Sequence, residues 1–151
     1  MIIKQIDFET IEHIWRTQLW PGRVSAIEPY SAMMFMHDKY EGSFATRPQV
    51  FLGGYVDDVL VAVNSLHLAE AYMARSRGLW VDPAHRGHGY GFRILNATSS
   101  AAAELGADAI WSFSRKSSIR SYEQADFARV SSWMDHGEFG PNAYVICPLY
   151  K

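Results

Sequence analysis

The hydrophobic pattern at the start of the chain predicts one strand followed by two helices. Residues 1–6 are typical of a short strand, and Asp7 is a plausible N-cap for the helix after it. Apolar residues then recur at helical spacing, namely Ile11, Ile14, Trp15 and Leu19. We expect this helix to end by Trp20-Pro21-Gly22, and a methionine-rich second helix to run from Ser31 through Tyr40.

The rest of the chain predicts six more strands and two more helices. Strand-like runs at 50–56 and 59–68 flank Asp57-Asp58, which is typical of a hairpin turn. The remaining predicted elements are a strand over 72–81, a helix over 89–105 that ends before Gly106, a strand over 109–114, a short helix over 117–124, and strands over 127–134 and 143–149. Their order indicates an α/β fold of the α+β type, with a mixed, largely antiparallel central sheet flanked by helices.

Composition narrows the classes of function. A length of 151 residues fits one domain, over residues 1–151, with a real core. The formal net charge is −2 and no basic run is present, so we expect no nucleic-acid partner. The lone Cys147 excludes an internal disulfide and suits a reducing cytoplasm, where an inert buried thiol is expected. No apolar run approaches membrane-spanning length and the N-terminus does not resemble a signal peptide, so no membrane association is expected.

The segment 86–91, Arg-Gly-His-Gly-Tyr-Gly, carries the strongest chemical signal. It lies between the predicted strand that ends at Val81 and the predicted helix that follows. Glycines let a backbone turn tightly and approach a ligand closely, and the first turn of a helix presents unpaired N–H groups. A strand, a glycine-rich turn and a helix start together are typical of an anion cradle, most often for phosphate.

The segment resembles the acetyl-CoA motif of the GNAT superfamily of N-acetyltransferases, (Q/R)-x-x-G-x-(G/A). Arg86, Gly89 and Gly91 fill its three defined positions, and residues 81–85 resemble the usual V-x-P lead-in. Residues 115–127 resemble the family's N-x-x-A-I-x-L-Y-x-x-x-G-F segment, with matches at Ile119, Tyr122 and Phe127. The departures from that segment are Arg115 for Asn, Ser118 for Ala, Ser121 for Leu and Asp126 for Gly.

The resemblance implies an acetyl-CoA-dependent N-acetyltransferase, and it implies where the cofactor binds. Backbone N–H groups of residues 87–91 would hold the CoA pyrophosphate, with charge added by Arg86. Residues 79–81 would pair with the pantetheine arm where this strand splays from the next one, and a backbone N–H of Leu79 or Trp80 would stabilise the oxyanion. The implied cofactor-binding residues are Leu79, Trp80, Val81, Arg86, Gly87, His88, Gly89, Tyr90, Gly91, Arg115 and Ser118.

Tyr122 matches the family's general acid, whose hydroxyl protonates the departing CoA thiolate. A phenol with a pKa of about 10 stays protonated at neutral pH and so suits this role. The general base has no such match, because strand 72–81 lacks the glutamate that many relatives carry there. Glu28, Glu70 and His67 are candidates, each also explained as a surface or structural residue, and water could serve instead; no base is assigned.

The acceptor remains open between a small-molecule amine and a protein amine. Arg75 and Arg77 share one face of strand 72–81 by alternation. Solvated strand arginines are the simpler interpretation, whereas arginines lining an acceptor pocket would select a carboxylate or phosphate beside the amine. The methionines of 31–40 could form a lid or core packing, and no metal site is expected from His85 and His88. Similar proteins often form homodimers, and a non-catalytic acyl-CoA-binding or regulatory module is the alternative function.

Overall fold

The structure, a computed structural model, describes residues 1–37, 39–135 and 140–149. Within these ranges the strands are β1 (Ile2–Gln5), β2 (Gln49–Val56), β3 (Val59–Leu68), β4 (Met73–Val81), β5 (Ala109–Arg115), β6 (Ala128–Arg129) and β7 (Asn142–Pro148). The α-helices are α1 (Phe8–Ile14), α2 (Tyr90–Glu104) and α3 (Ile119–Gln124). Short 3₁₀ turns cover Gly42–Thr46, Pro83–His85 and Lys116–Ser118.

The described strands form one sheet in the order β1-β2-β3-β4-β5-β7-β6. Every neighbouring pair is antiparallel except β4 and β5, which run parallel. This arrangement confirms the predicted mixed, largely antiparallel sheet. The parallel pair is joined through α2, because a parallel connection needs a crossover that a tight turn cannot supply.

The sheet buries side chains on both faces. On one face α2 and α3 cover an apolar cluster that includes Leu66, Leu95, Ile110 and Phe127. On the opposite face α1 packs on β2 and β3 through a cluster formed by Ile11, Trp15, Val63 and Trp80. A functional group on β4 therefore faces either the α2 side or the α1 side, according to its position along the strand.

The first helix begins and ends as its sequence predicts. Asp7 caps α1, because its carboxylate accepts a 2.8 Å hydrogen bond from the backbone N–H of Thr10. A five-residue π-helical turn, Trp15–Leu19, extends α1, and the N–H of Trp20 donates to the carbonyl of Trp15 at 2.7 Å. The sequence did not predict this wider turn, and π-helical turns are frequent at functional sites.

The predicted helix over 31–40 is wrong. This segment is irregular in its described residues, with a bridge between Met33 and Tyr40 and a left-handed backbone at Met36 (φ 54°). Side chains accept hydrogen bonds from backbone N–H groups of this segment. Ser31 Oγ accepts from the N–H of Met33 at 3.2 Å, and a carboxylate oxygen of Glu70 accepts from the N–H of Phe35 at 3.0 Å.

The predicted strand over 127–134 is mostly wrong, since only β6 pairs with β7 as a strand there. The ladder is interrupted at Ser131, whose hydroxyl accepts from the backbone N–H of Tyr144 at 2.9 Å. Pairing resumes only as an isolated bridge between Met134 and Asn142. A side chain thus replaces the main-chain partner that would have continued the strand.

The hairpin and the long helix agree with the sequence. Asp57 and Asp58 both have positive φ (49° and 63°), as a tight two-residue hairpin requires. Helix α2 buries Leu95, Thr98 and Ala102, and Gly106 (φ 89°) follows its end as expected. None of the described helices combines the length and apolar character needed to cross a membrane.

Candidate functional site

Strands β4 and β5 separate halfway along their length and leave a gap in the sheet. Their parallel pairing extends only from Met73 with Ala109 to Arg75 with Trp111. Beyond it, the hydroxyl of Ser112 donates to the carbonyl of Ser76 at 2.8 Å. The predicted splay is therefore present, and the C-terminal half of β4 lacks a strand partner on this side.

A bulge at Gly78 changes which way β4 presents its side chains. Ser65 pairs with Arg77 and Val63 with Trp80, so β4 holds one extra residue between the two pairs. Gly78 has φ 78°, and the indole N–H of Trp15 donates to its carbonyl at 2.8 Å. As a result Trp80 packs on the α1 side, while Leu79 packs on the α2 side.

The glycine-rich turn forms an open cradle at the N-terminus of α2. Asp82 starts the turn by accepting a 3.0 Å hydrogen bond from the N–H of Ala84. Gly87 and Gly89 follow with φ of 84° and 75°, and a Cβ added to either would meet no atom within 4 Å. Space on the outer side of both glycines is thus left for a ligand. Unpaired N–H groups of the first helical turn suit an anion in that space.

A cavity of about 470 Å³ extends from this turn along the gap; we call it the turn cavity. The predicted cofactor residues that line it are Leu79, Trp80, Val81, Arg86, Gly87, Gly89, Tyr90, Gly91, Arg115 and Ser118. His88 is not among the lining residues, since its ring stacks on Tyr90 and its Nδ1 lies 3.0 Å from the carbonyl oxygen of His85. Ten of the eleven predicted cofactor residues thus line one cavity, and their role in holding a cofactor stays a prediction.

Sequence reasoning missed several residues of the same lining. These are Leu19, His85, Ser117, Arg120, Ser121 and Gln124. Arg120 and Ser121 lie inside the second segment that resembles the family. The positive charge of Arg120 could have indicated an anionic ligand. Leu19 had no signal, because the π-helical turn that brings it to the gap was not predicted.

A second cavity of about 300 Å³ lies on the α1 side of the gap. We call it the arginine cavity, because Arg23, Arg75, Arg77 and Arg115 line it. Its walls also include Tyr122 and Trp20, together with Met33 and Tyr40 from the segment considered as a lid. Four residues line both cavities, namely Leu19, Leu79, Arg115 and Ser118. The two cavities therefore meet beside the β4 bulge.

Tyr122 reaches the arginine cavity from α3 with its ring buried in the core. Its ring packs edge-on against Phe127 with centroids 5.2 Å apart, and its hydroxyl lies 3.0 Å from the hydroxyl of Ser112. Burial raises the pKa of Tyr122 above its ordinary value of 10, although the hydrogen bond with Ser112 opposes this shift. The phenol is therefore neutral at physiological pH and can donate a proton.

Arg75 and Arg77 are buried rather than solvated, so the simpler sequence interpretation of them is wrong. Their exposed fractions are 8% and 6%. Burial lowers the pKa of Arg75 to about 10 and that of Arg77 to about 9. Both remain cationic at neutral pH, and both face the arginine cavity.

The three candidate bases lie outside the two cavities. His67 is fully buried, accepts a 3.2 Å hydrogen bond from the N–H of Ser31, and has its pKa lowered to about 3 by burial and by nearby Arg75. Glu70 accepts from the N–H of Phe35, and neither it nor Glu28 lines either cavity. The described lining of the arginine cavity contains no Asp, Glu or His.

Arg115 stands where the two cavities join. Its guanidinium donates a 3.0 Å hydrogen bond to the carbonyl of Leu19, and half-burial lowers the pKa of this group. The contact connects the end of β5 to the π-helical turn after α1. Across residues 1–37, 39–135 and 140–149, no three His, Cys, Asp or Glu side chains are placed to hold a metal ion.

The fold is shared with solved acetyltransferases. An acetyltransferase of the GNAT family from Staphylococcus aureus Mu50 superposes with a TM-score of 0.66 over 99% of both chains, at 11% identity. A Bacillus subtilis acetyltransferase in complex with CoA gives a TM-score of 0.57 at 15% identity, over 72% of this chain and 81% of that one. The PaiA N-acetyltransferase of Thermoplasma acidophilum in complex with coenzyme A gives 0.56 at 16% identity, over 66% and 60%.

At these identities the likeness to solved structures concerns the fold alone. A search of curated protein sequences gives no significant match. Residues 12–127 match the sequence model of the acetyltransferase (GNAT) family, and this range includes the glycine-rich turn, the splayed strands and Tyr122. This match covers most of the chain and agrees with the observed strand order and gap, so the chain belongs to the acetyltransferase (GNAT) family.

Proposed function

We propose that this protein is an acetyl-CoA-dependent N-acetyltransferase that moves an acetyl group directly to a primary amine in a ternary complex. The turn cavity would hold acetyl-CoA and the arginine cavity the amine. Structural relatives in complex with CoA support a CoA-type donor for this fold. Acetyl-CoA supplies an acyl thioester, whose carbonyl carbon accepts a nucleophile and whose thiolate leaves.

The residues of the turn cavity fit such a donor. The open cradle at Gly87 and Gly89 suits a pyrophosphate, with Arg86 and Arg120 in the same lining to balance its charge. The free edge of β4 after Arg75 offers backbone groups to the amide-containing pantetheine arm. Leu79 lines both cavities, and its backbone N–H would polarise a thioester carbonyl at their junction.

The transfer itself makes one C–N bond and breaks one C–S bond. The neutral amine attacks the thioester carbonyl, an amide forms, and the amine loses a proton to solvent water. Tyr122 donates its hydroxyl proton to the departing thiolate and recovers one from solvent, so CoA leaves as the free thiol and the protons balance. Ser112, 3.0 Å from the phenol, holds it in place.

One observation carries the proposal. The two cavities meet at Leu79, Arg115 and Ser118, and the neutral phenol of Tyr122 lines the cavity opposite the glycine-rich turn. Direct transfer needs a donor and an acceptor site that share a junction, together with an acid at that junction.

Calorimetric titration with acetyl-CoA tests the proposal, and the glycines provide a matched control. Gly87, Gly89 and Gly106 all have positive φ and no atom within 4 Å of an added Cβ, so alanine at each costs a similar backbone strain of about 1 kcal/mol. Of these three glycines, Gly87 and Gly89 line the turn cavity and Gly106 does not. We expect Gly87→Ala and Gly89→Ala to weaken acetyl-CoA binding at least about tenfold, and Gly106→Ala to bind like the wild type. Absence of binding to the wild type at millimolar acetyl-CoA contradicts the proposal.

A second candidate function is an acyl-CoA-binding or regulatory module without turnover. It is favoured by one observation, the lack of any carboxylate or imidazole in the described lining of the arginine cavity. Release of free CoA thiol over a panel of primary amines separates the two candidates. Binding of acetyl-CoA without thiol release on any amine favours the module, whereas amine-dependent release favours the enzyme.

A further inference from the structure

The arginine cavity contains two buried cations that form no ion pair among the described residues. The side chains of Arg75 and Arg77 are 8% and 6% exposed. The described residues place no carboxylate oxygen within 4.0 Å of either guanidinium. Repulsion between like charges adds to the cost of burial, since Arg75 and Arg23 lie close enough to Arg77 to lower its pKa. Burying an ion without a counter-ion is expensive, so this arrangement requires an explanation.

The protein's own contacts hold the two guanidinium groups in place without neutralising them. Nη1 of Arg75 donates to the hydroxyl of Ser31 and Nη1 of Arg77 to the backbone carbonyl of Glu28, each at 2.7 Å. Both acceptors are uncharged. The Nε of Arg75 is buried without a hydrogen-bond partner among the described residues. Both arginines line the cavity, so their positive charge remains available to a ligand bound there.

Aromatic rings stack on the guanidinium groups of Arg75 and Arg77 and hold the orientation of their planes. Arg75 lies over the ring of Trp111 with its Cζ 4.8 Å from the centroid, and Arg77 lies 4.9 Å from the centroid of Trp15. Stacking of this kind orients a guanidinium and leaves its N–H edge free to bind an oxyanion with two parallel hydrogen bonds. The pair is thus preorganised, and reorganisation would not be needed on binding.

We infer that Arg75 and Arg77 form a binding site for an oxyanion group, a carboxylate or a phosphate, carried by the acceptor amine. This inference rests on the proposed function, because it assigns the acceptor to the arginine cavity. A volume of about 300 Å³ suits a small molecule. The acceptor is then a small amine that bears its own anionic group, and cationic acceptors such as polyamines or lysine-rich tails are excluded by charge.

The site also accounts for the lack of a base in the described lining. Positive charge beside an ammonium group disfavours its charged form and lowers its pKa. An acceptor anchored by its anion therefore presents its amine in the neutral, nucleophilic form near Tyr122. The same two arginines would select the acceptor and assist its deprotonation.

Anion binding by the protein without acetyl-CoA tests the inference directly. Sodium acetate and sodium phosphate are titrated separately at constant ionic strength, and binding is followed by tryptophan fluorescence and by the thermal midpoint. Trp15 and Trp111 contact the two guanidinium groups and act as reporters. We expect saturable binding of at least one anion, with a midpoint increase of about 3–6 °C at ten times Kd. The anion with the lower Kd identifies the group as carboxylate or phosphate.

Variants locate the bound anion. Arg75→Gln and Arg77→Gln each remove one buried charge, and we expect at least a tenfold rise in Kd for the preferred anion. Arg93→Gln is the control, since Arg93 is exposed and lines neither cavity. An anion bound at the glycine-rich turn instead would be insensitive to Arg75→Gln and Arg77→Gln. If Arg75→Gln or Arg77→Gln loses its fold, the other variant and the wild-type titration still decide the result.

Two outcomes overturn the inference: no saturable response of the wild type to either anion, or a response that both glutamine variants retain. Neither outcome bears on acetyl-CoA binding, which the calorimetric titration measures separately. Conversely, a wild type that binds acetate or phosphate through Arg75 and Arg77 but does not bind acetyl-CoA contradicts the proposed function and leaves the anion site in place.

Discussion

The indole N–H of Trp15 donates a 2.8 Å hydrogen bond to the carbonyl of Gly78, and this contact connects the helix before the gap to the bulge beside it. Trp15 is fully buried, so the bulge is held against a rigid ring. The extra residue of the bulge places Arg77 and Trp80 on one side of β4 and Leu79 on the other. The bulge, held by this hydrogen bond, therefore sets how β4 presents Leu79, one of the residues that line both cavities.

Gly78→Ala should destabilise the protein strongly. A Cβ at Gly78 would overlap the indole of Trp15, and its φ of 78° is unfavourable for any residue with a side chain. We expect a loss of about 3 kcal/mol or more in the free energy of unfolding, measured by urea denaturation. Gly106→Ala shares the positive φ without the overlap and should lose only about 1 kcal/mol. Equal losses in the two variants would contradict this account of the bulge.

Tyr122→Phe should abolish most of the turnover and leave the donor site intact. Removing the hydroxyl deletes the proposed proton donor, and general acid catalysis contributes about 10²–10⁴-fold to a rate. We expect kcat to fall by about that range in a thiol-release assay, with little change in calorimetric affinity for acetyl-CoA. Ser112 keeps its bond to the Ser76 carbonyl, so the loss of stability should be about 1 kcal/mol. Tyr55→Phe is the matched control, because Tyr55 lines neither cavity. An unchanged kcat in Tyr122→Phe would show that Tyr122 is not the proton donor.

His67 should make the protein sensitive to mild acid. Burial and nearby Arg75 lower its pKa to about 3 in the folded protein, against 6.5 ordinarily. Above pH 6.5 the residue is neutral in both states and its contribution to stability is complete. As the pH falls from there toward 3, only the unfolded chain takes up the proton, so stability decreases by up to about 1.4 kcal/mol per pH unit.

Urea denaturation from about pH 7 to about pH 4 measures this contribution as the difference between the wild type and His67→Gln. Glutamine can still accept the hydrogen bond from the N–H of Ser31, so the variant isolates the titration. His13→Gln, at an exposed position of α1, is the control and should follow the wild type. A difference between wild type and His67→Gln that stays constant over this range would show that His67 does not titrate as described.

The sequence predicts the elements whose signals are local. Asp7 and Gly106 mark helix boundaries through backbone chemistry that acts within a few residues, and both are found as expected. The glycine-rich turn is equally predictable from the sequence, because positive φ at Gly87 and Gly89 needs no distant partner. Gly87 and Gly89 both line the turn cavity.

Prediction from the sequence fails where side chains that are distant along the chain determine the backbone conformation. The segment from Ser31 to Tyr40 has helical composition, yet Glu70 takes the N–H of Phe35 and Arg75 takes the hydroxyl of Ser31. Arg75 itself was misjudged for the same reason, since alternation along a strand identifies a shared face and not what covers it. The segment that was wrongly predicted as a helix supplies Ser31, which accepts from Arg75, and it lines the arginine cavity through Met33 and Tyr40. How the arginine cavity is covered was therefore out of reach of the sequence.

The pH dependence of turnover should be set by the pKa of the acceptor amine and not by a titrating group of the protein. The described lining of the arginine cavity contains no carboxylate or imidazole, so the proton must leave the amine before or during attack without a protein base. We expect log kcat/KM to rise with pH at a slope near one until the amine is neutral. In a series of acceptors that differ in amine pKa, the inflection should move with that pKa.

Steady-state rates at several pH values, with two or more acceptors of different basicity, test this point. The inflection for each acceptor should lie below its solution pKa, because the buried guanidinium groups of Arg75 and Arg77 disfavour a bound ammonium. Arg77→Gln should move the inflection upward toward the solution value, as well as raising KM. An inflection at one fixed pH for all acceptors would instead identify a titrating group of the protein as the base.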